Sequence, residues 1–151
     1  MQSSLNYFLE PLTKLEPDTK PLWGKMTAQH MVEHLILSVK MSCGKFDVEC
    51  FSPEEKLPVL KKILMSDRPL PRNFVNPIIG ENLLSLEYDS LDKSKVILKA
   101  EIKNYYDYFV KYPDAVFTNP TFGKLNKLEW DVFHNKHFTH HLSQFGLMGQ
   151  N

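Results

Sequence analysis

Four stretches of this chain place apolar side chains at alternating steps of three and four residues, which is the spacing of one helix face. The first stretch carries Leu5, Phe8, Leu9, Leu12 and Leu15. The other three lie near residues 27–44, 90–112 and 126–146. No stretch shows a convincing strand alternation, so the sequence predicts an all-α fold. Four amphipathic helices in 151 residues indicate a four-helix bundle, formed as one domain over residues 1–151.

Helix-capping residues give the expected bounds. Pro11 is expected to kink or split the first helix, because proline lacks the amide hydrogen that a helix interior needs. Thr27 is a good N-cap for the second helix, and Gly44 is expected to end it. The third helix is expected from about Ser90 to Tyr112, and the fourth from Asn126 to Gly146.

Asn126 and Glu129 have the spacing of a capping box, which supports the start of the fourth helix. The connection from residue 44 to residue 89 is too long for a simple up-and-down bundle. It indicates a crossover between the second and third helices. Ser52-Pro53-Glu54-Glu55 predicts a short helix within it, and the proline-rich stretch 67–80 is expected to form an ordered loop.

Composition argues against several classes of function, although a local basic patch remains compatible with it. Eighteen basic residues balance eighteen acidic ones, whereas nucleic-acid and anionic-membrane binders need a basic surface. The N-terminus does not resemble a signal peptide, and no apolar run approaches the ~18 residues of a membrane span. Cys43 and Cys50 do not form a recognisable disulfide or metal motif. These features predict a cytoplasmic protein with two reduced thiols.

Histidine is concentrated near the end of the chain, where four of the six histidines fall within residues 134–141. At about 100° per residue, His137 and His141 share a helix face that is expected to look into the bundle or along its edge. Residues four apart have Cβ atoms roughly 5–6 Å apart, so two imidazoles can reach one metal ion. His134 and His141 are too far apart along the axis to share an ion, and a third ligand is expected from another helix.

The second helix supplies that ligand in the stretch TAQHMVEHLILS. His34 lies beside its apolar stripe, whereas His30 lies toward its polar side. The sequence therefore predicts a metal site formed by His34, His137 and His141, with coordination positions left open as in catalytic sites. A divalent transition metal is expected; zinc or nickel suits imidazole best, and iron, manganese and copper are alternatives.

Other residues near these elements have ordinary interpretations. His30, His134 and His140 are expected at the surface or in supporting roles, and His134 is the best candidate to contact a ligand or the substrate. Glu33 is expected to be solvated or to cap a helix, and Trp130 is expected in the core. The alternative to a metal site is a buried polar cluster of histidines without metal.

Four blocks of the sequence are similar to a known superfamily. They are PLWGKMTAQHMVEHL (21–35), FSPEEKLPVLKKILMSDRPLP (51–71), NPTFGKLNKLEW (119–130) and HFTHHLSQFGL (137–147). The chain resembles the DinB-like (YfiT-like) superfamily of metal-binding four-helix bundles, in a branch known only as a domain of unknown function. The last block carries the superfamily's pattern of a histidine, a histidine pair and a glutamine, here His137, His140-His141 and Gln144.

This resemblance implies that His34, His137 and His141 are the metal ligands. It also implies a thiol transferase or a hydrolase that uses the metal to activate a low-molecular-weight thiol or water against an electrophilic small molecule. A non-catalytic metal-binding or partner-binding bundle is the alternative. Homodimers through exposed helix faces are compatible with the resemblance, whereas DNA binding is not expected. The sequence assigns no catalytic base and no specific substrate.

Overall fold

The protein is described here by a computed structural model, which covers residues 4–72, 74 and 83–149. It is mostly helical and has one small two-stranded sheet. The α-helices are α1 (Leu9–Leu12), α2 (Ala28–Ser42), α3 (Leu57–Leu64), α4 (Leu91–Lys111) and α5 (Lys127–Gln144). Short 3-10 helices precede α1 at Leu5–Phe8 and α3 at Glu54–Lys56, and the strands are β1 (Phe117–Asn119) and β2 (Gly123–Leu125).

The predicted starts of the three long helices are confirmed, and each start has a capping side chain. The Thr27 side chain accepts the backbone N–H of His30 at the start of α2. Ser90 caps α4 in the same way, and Asn126 forms the full capping box with Glu129 at the start of α5. Each cap satisfies backbone N–H groups that have no partner within the helix.

The first helix is shorter than predicted. The expected helix over residues 5–15 is a 3-10 turn followed by a single α-helical turn that ends at Leu12. In a continuous α-helix the nitrogen of Pro11 would have to donate to the carbonyl of Tyr7, and proline has no hydrogen to donate. The change of helix type at Phe8 places Pro11 in the first turn of α1, where no such bond is required.

The hairpin formed by β1 and β2 was not predicted. Phe117 pairs with Leu125 and Asn119 with Gly123 in an antiparallel register. The Asn119 side chain closes the turn by accepting the backbone N–H groups of Thr121 and Phe122. Strands of three residues are too short to produce a visible alternation of apolar and polar residues.

The helices surround one apolar core. α2 packs against α4 and α5, and the N-terminal 3-10 helix packs against the same two helices. This pattern of neighbours is consistent with a helical bundle. Its largest fully buried side chains include Trp130, which confirms the predicted core position, and also Tyr105, Phe8, Phe138 and Met31.

The crossover lies between α2 and α4 and contains α3, which begins close to the predicted start signal. Part of the predicted proline-rich loop, residues 73 and 75–80, lies outside the described residues. Among the residues that are described, no helix combines the length and apolar character needed to cross a membrane.

Candidate metal centre

α2 and α5 bring the three predicted ligands together. His34 comes from α2, and His137 and His141 come from adjacent turns of α5. His137 is fully buried, and His34 and His141 are 6% and 7% exposed. One ligand atom from each residue lies within 4.8 Å of the others, so the three histidines can form a metal site.

The separations between the ring nitrogens fit a shared ion. The Nε2 atom of His137 lies 2.9 Å from Nε2 of His34 and 3.2 Å from Nε2 of His141. Two nitrogens bound to one zinc ion at 2.0–2.1 Å are roughly 2.9–3.4 Å apart at angles near 90–110°. The observed distances therefore match those between imidazoles that share a cation.

The amide of Gln144 fixes the tautomer of His141. Its Nε2 atom donates to the carbonyl of Trp23 at 2.9 Å, so its Oε1 atom faces His141 Nδ1 at 2.8 Å. A carbonyl oxygen only accepts, and Nδ1 of His141 must therefore carry the hydrogen. The Nε2 atom of His141 then carries a free lone pair that points toward His137 Nε2.

Hydrogen bonds alone satisfy this cluster poorly. If Nε2 of His137 carries a hydrogen, it can donate that hydrogen fully to only one of its two neighbours, Nε2 of His34 or Nε2 of His141. If it carries none, its lone pair faces that of His141 at 3.2 Å. A cation bound by three neutral imidazoles uses all three lone pairs at once. The donor set therefore fits a divalent transition metal.

Burial also keeps these ligands neutral. It lowers the pKa of His34 to about 4, with His140 nearby adding to the effect. Burial and the neighbouring histidines hold the pKa of His137 well below its usual range, and burial does the same for His141 despite its bond to Gln144. Neutral imidazole is the form that binds metals.

The turn before α2 holds Gln144 in place. The backbone N–H of Leu22 donates to the Gln144 carbonyl at 2.7 Å, and the Trp23 carbonyl accepts from its side chain. Gly24 has a φ of +85°, and a Cβ atom there would lie 2.7 Å from the side-chain nitrogen of Gln144. The close approach and the positive φ both favour glycine at this position.

His134 lies deeper in the core than predicted. It is fully buried, stacks on Trp130 and donates from Nε2 to the Ser42 hydroxyl oxygen at 2.8 Å. Ser42 in turn donates to the Val39 carbonyl. His134 therefore supports the packing of α2 against α5 and is not a member of the three-histidine cluster. The pair is also unsuited to nucleophilic catalysis, because the histidine donates to the serine and does not accept from it.

Two further predictions are modified by the structure. His140 is buried, and its ring centre lies 4.8 Å from that of His141. Glu33 is neither free in solvent nor a helix cap. Its carboxylate accepts the backbone N–H groups of Glu87 and Tyr88 at 2.7 and 3.3 Å. It therefore anchors the end of the crossover to α2, beside His34.

A cavity of about 270 Å³ opens beside His34. Its walls are mostly apolar, and its polar residues include His30 and Glu33. His30 is half-buried, as expected from its place on α2, and its Nδ1 atom lies 2.7 Å from the Thr27 hydroxyl. The cavity gives a small molecule room next to one of the three ligands.

Cys43 and Cys50 are free thiols, as predicted. Burial raises the pKa of the Cys43 thiol, which disfavours the reactive thiolate. Neither cysteine is a ligand of the three-histidine cluster.

The chain is similar to a known protein family over nearly its whole length. The family described as "Protein of unknown function (DUF1569)" matches residues 2–148, a span that contains all three histidines of the site. No curated protein and no solved structure matches the chain.

Proposed function

Because this chain belongs to the DUF1569 family, whose description assigns no activity, we propose a function from the site itself. The protein is a divalent-metal-dependent enzyme whose ion is held by His34, His137 and His141. The observation that carries this proposal is the convergence of three buried Nε2 atoms that hydrogen bonds alone leave poorly satisfied. Zinc and nickel suit such a donor set best.

When bound, the ion would lower the pKa of a thiol or water at an open coordination position and so supply a nucleophile near neutral pH. The chain's own residues bind and orient the reactants. Gln144 holds the His141 ring with its Nε2 atom toward the site. The mostly apolar cavity beside His34 has room for an electrophilic small molecule. This arrangement supports a thiol transferase or a hydrolase.

We also propose that the family is a branch of the DinB-like four-helix bundles. Three features support this assignment. A histidine on the second long segment joins two histidines on the last helix, a long crossover separates α2 from α4, and the helices have the neighbours expected in a bundle.

Turnover assays test the enzymatic part of the proposal. Protein loaded with zinc or nickel is mixed with glutathione and chlorodinitrobenzene for thiol transfer, or with nitrophenyl acetate for hydrolysis. In thiol transfer, sulfur bonds to the ring carbon, chloride leaves and the thiol proton goes to solvent. We expect turnover that EDTA abolishes and added metal restores. His137→Ala should abolish it, and His30→Ala should retain bound metal as the matched control.

The second candidate function is a ligand- or partner-binding module that the metal only stabilises. The deep burial of the three histidines favours it, since a catalytic ion must be reached by its substrate. Full metal occupancy and a higher melting temperature, without turnover of either reactant class, would support this function over the enzyme.

A further inference from the structure

Another cavity, of about 220 Å³, lies between α5 and the segment that follows α3. The chain has 18 basic residues but only two arginines, Arg68 and Arg72, and both line this cavity. Arginine presents a planar fork of donors that matches carboxylate and phosphate oxygens, whereas lysine is a point charge. The concentration of both arginines at one cavity therefore points to an anionic ligand.

The segment that carries these arginines is held against α5. Lys136 donates to the carbonyls of Leu64 and Ser66 at 2.6 and 2.8 Å, and the His140 ring hydrogen-bonds to the backbone of Leu70. Pro69 and Pro71 each have a fixed φ. The cavity is therefore largely preformed, which lowers the entropic cost of binding a ligand.

Charge and shape at the cavity fit a small anion with an apolar body. Arg68, Arg72 and Lys136 outweigh Asp67, the one acidic side chain among the described residues of its lining. The Arg72 guanidinium lies 4.3 Å from the ring centre of Trp23, a cation–π contact between two residues of the cavity lining. Trp23 and Leu70 add apolar surface.

We propose that this cavity binds the carboxylate or phosphate group of a small molecule, with Arg68 and Arg72 as the principal contacts and Trp23 packed against its apolar part. The binding does not depend on the metal. The cavity adjoins the metal centre through His140, whose ring touches both Trp23 and His141.

Tryptophan fluorescence provides a direct test. Trp23 is half-buried at the cavity, whereas Trp130 is fully buried in the core, so a ligand in the cavity should change the emission of Trp23. The full chain is titrated with benzoate, with phenyl phosphate and with the neutral analogue benzamide. Each titration is done once in the presence of EDTA and once in the presence of zinc. The test variant is Arg68→Gln/Arg72→Gln. The control is Lys93→Gln/Lys99→Gln, which removes two exposed charges from α4, away from this cavity.

We expect at least one of the two anions to bind at least tenfold more tightly than benzamide, and the arginine double variant to weaken that binding at least tenfold. The lysine control should bind as the wild type does. Preference for benzoate would identify a carboxylate ligand, and preference for phenyl phosphate a phosphorylated one. No binding of either anion, equal binding of benzamide, or unchanged binding in a folded arginine variant would overturn the proposal. Anion binding in the presence of EDTA would support this cavity as a binding site even if the protein proved to hold no metal.

Discussion

At the scale of single residues, Gln144 decides how His141 can act. It accepts from Nδ1 of His141 and donates to Trp23, so the ring presents a lone pair to the site. The Nδ1 atoms of His34 and His137 are buried and have no hydrogen-bond partner among the described residues. Among the described residues, Gln144 is therefore the hydrogen-bond partner that most determines how the three histidine rings are oriented.

Replacing Gln144 with alanine should weaken metal binding by roughly 10–100-fold, which is the usual cost of losing such a partner. Titration of the zinc-loaded protein with a competing chelator measures this affinity. Gln29→Ala is the matched control, because it removes the same side chain from α2 without touching a ligand. Equal affinities for wild type and Gln144→Ala would show that Gln144 does not orient the site.

The sequence predicted the direction of the histidine side chains better than their depth. The helical phase of His34 relative to the apolar stripe of α2 was enough to place it inward. His134 shares a face with His141, but it lies two turns nearer the start of α5, where aromatic side chains fill the core. A helical wheel contains no information about where along its axis a helix becomes fully buried.

At the scale of elements, the start of each long helix could be predicted because capping is a local interaction. Thr27, Ser90 and Asn126 each accept a backbone N–H group three residues later. The β1–β2 hairpin and the contact between the turn at residues 22–24 and α5 could not be predicted. The hairpin is too short for a periodic signal, and the contact joins residues more than 120 positions apart.

Gly24→Ala tests the contact between that turn and α5. The substitution introduces a positive-φ alanine, which costs about 1–2 kcal/mol of folding free energy, and its Cβ atom meets the Gln144 side chain. We expect both the melting temperature and the metal affinity to fall. Gly149→Ala is the control, because a Cβ atom there meets nothing within 4 Å. Wild-type affinity in Gly24→Ala would mean that Gln144 is held without this turn.

At the scale of the whole molecule, the buried histidines should make stability depend on pH. Unfolded histidine has a pKa of 6.5, and burial lowers the pKa of His34 to about 4. At pH values between these two pKa values, the unfolded chain binds more protons than the folded chain. The free energy of unfolding therefore falls as the pH falls. His34 alone should remove on the order of 2 kcal/mol between pH 6.5 and pH 5.

Urea unfolding of the EDTA-treated protein measures this effect. The free energy of unfolding should change little just above pH 7 and should decrease steadily from pH 6.5 toward pH 4. His137 and His141, whose pKa values are also lowered, should steepen the decrease. A constant free energy across this range would show that the histidines can be protonated in the folded protein at no cost.

The central claim is that His34, His137 and His141 bind one metal ion, and elemental analysis tests it most directly. The protein is purified without a histidine tag or a nickel column, as wild type, as His137→Ala and as His30→Ala. We predict about one transition-metal ion per chain in the wild type and in His30→Ala, and its loss in His137→Ala with most of the helical signal kept. A wild type without metal even after supplementation, or full occupancy in His137→Ala, would contradict the account.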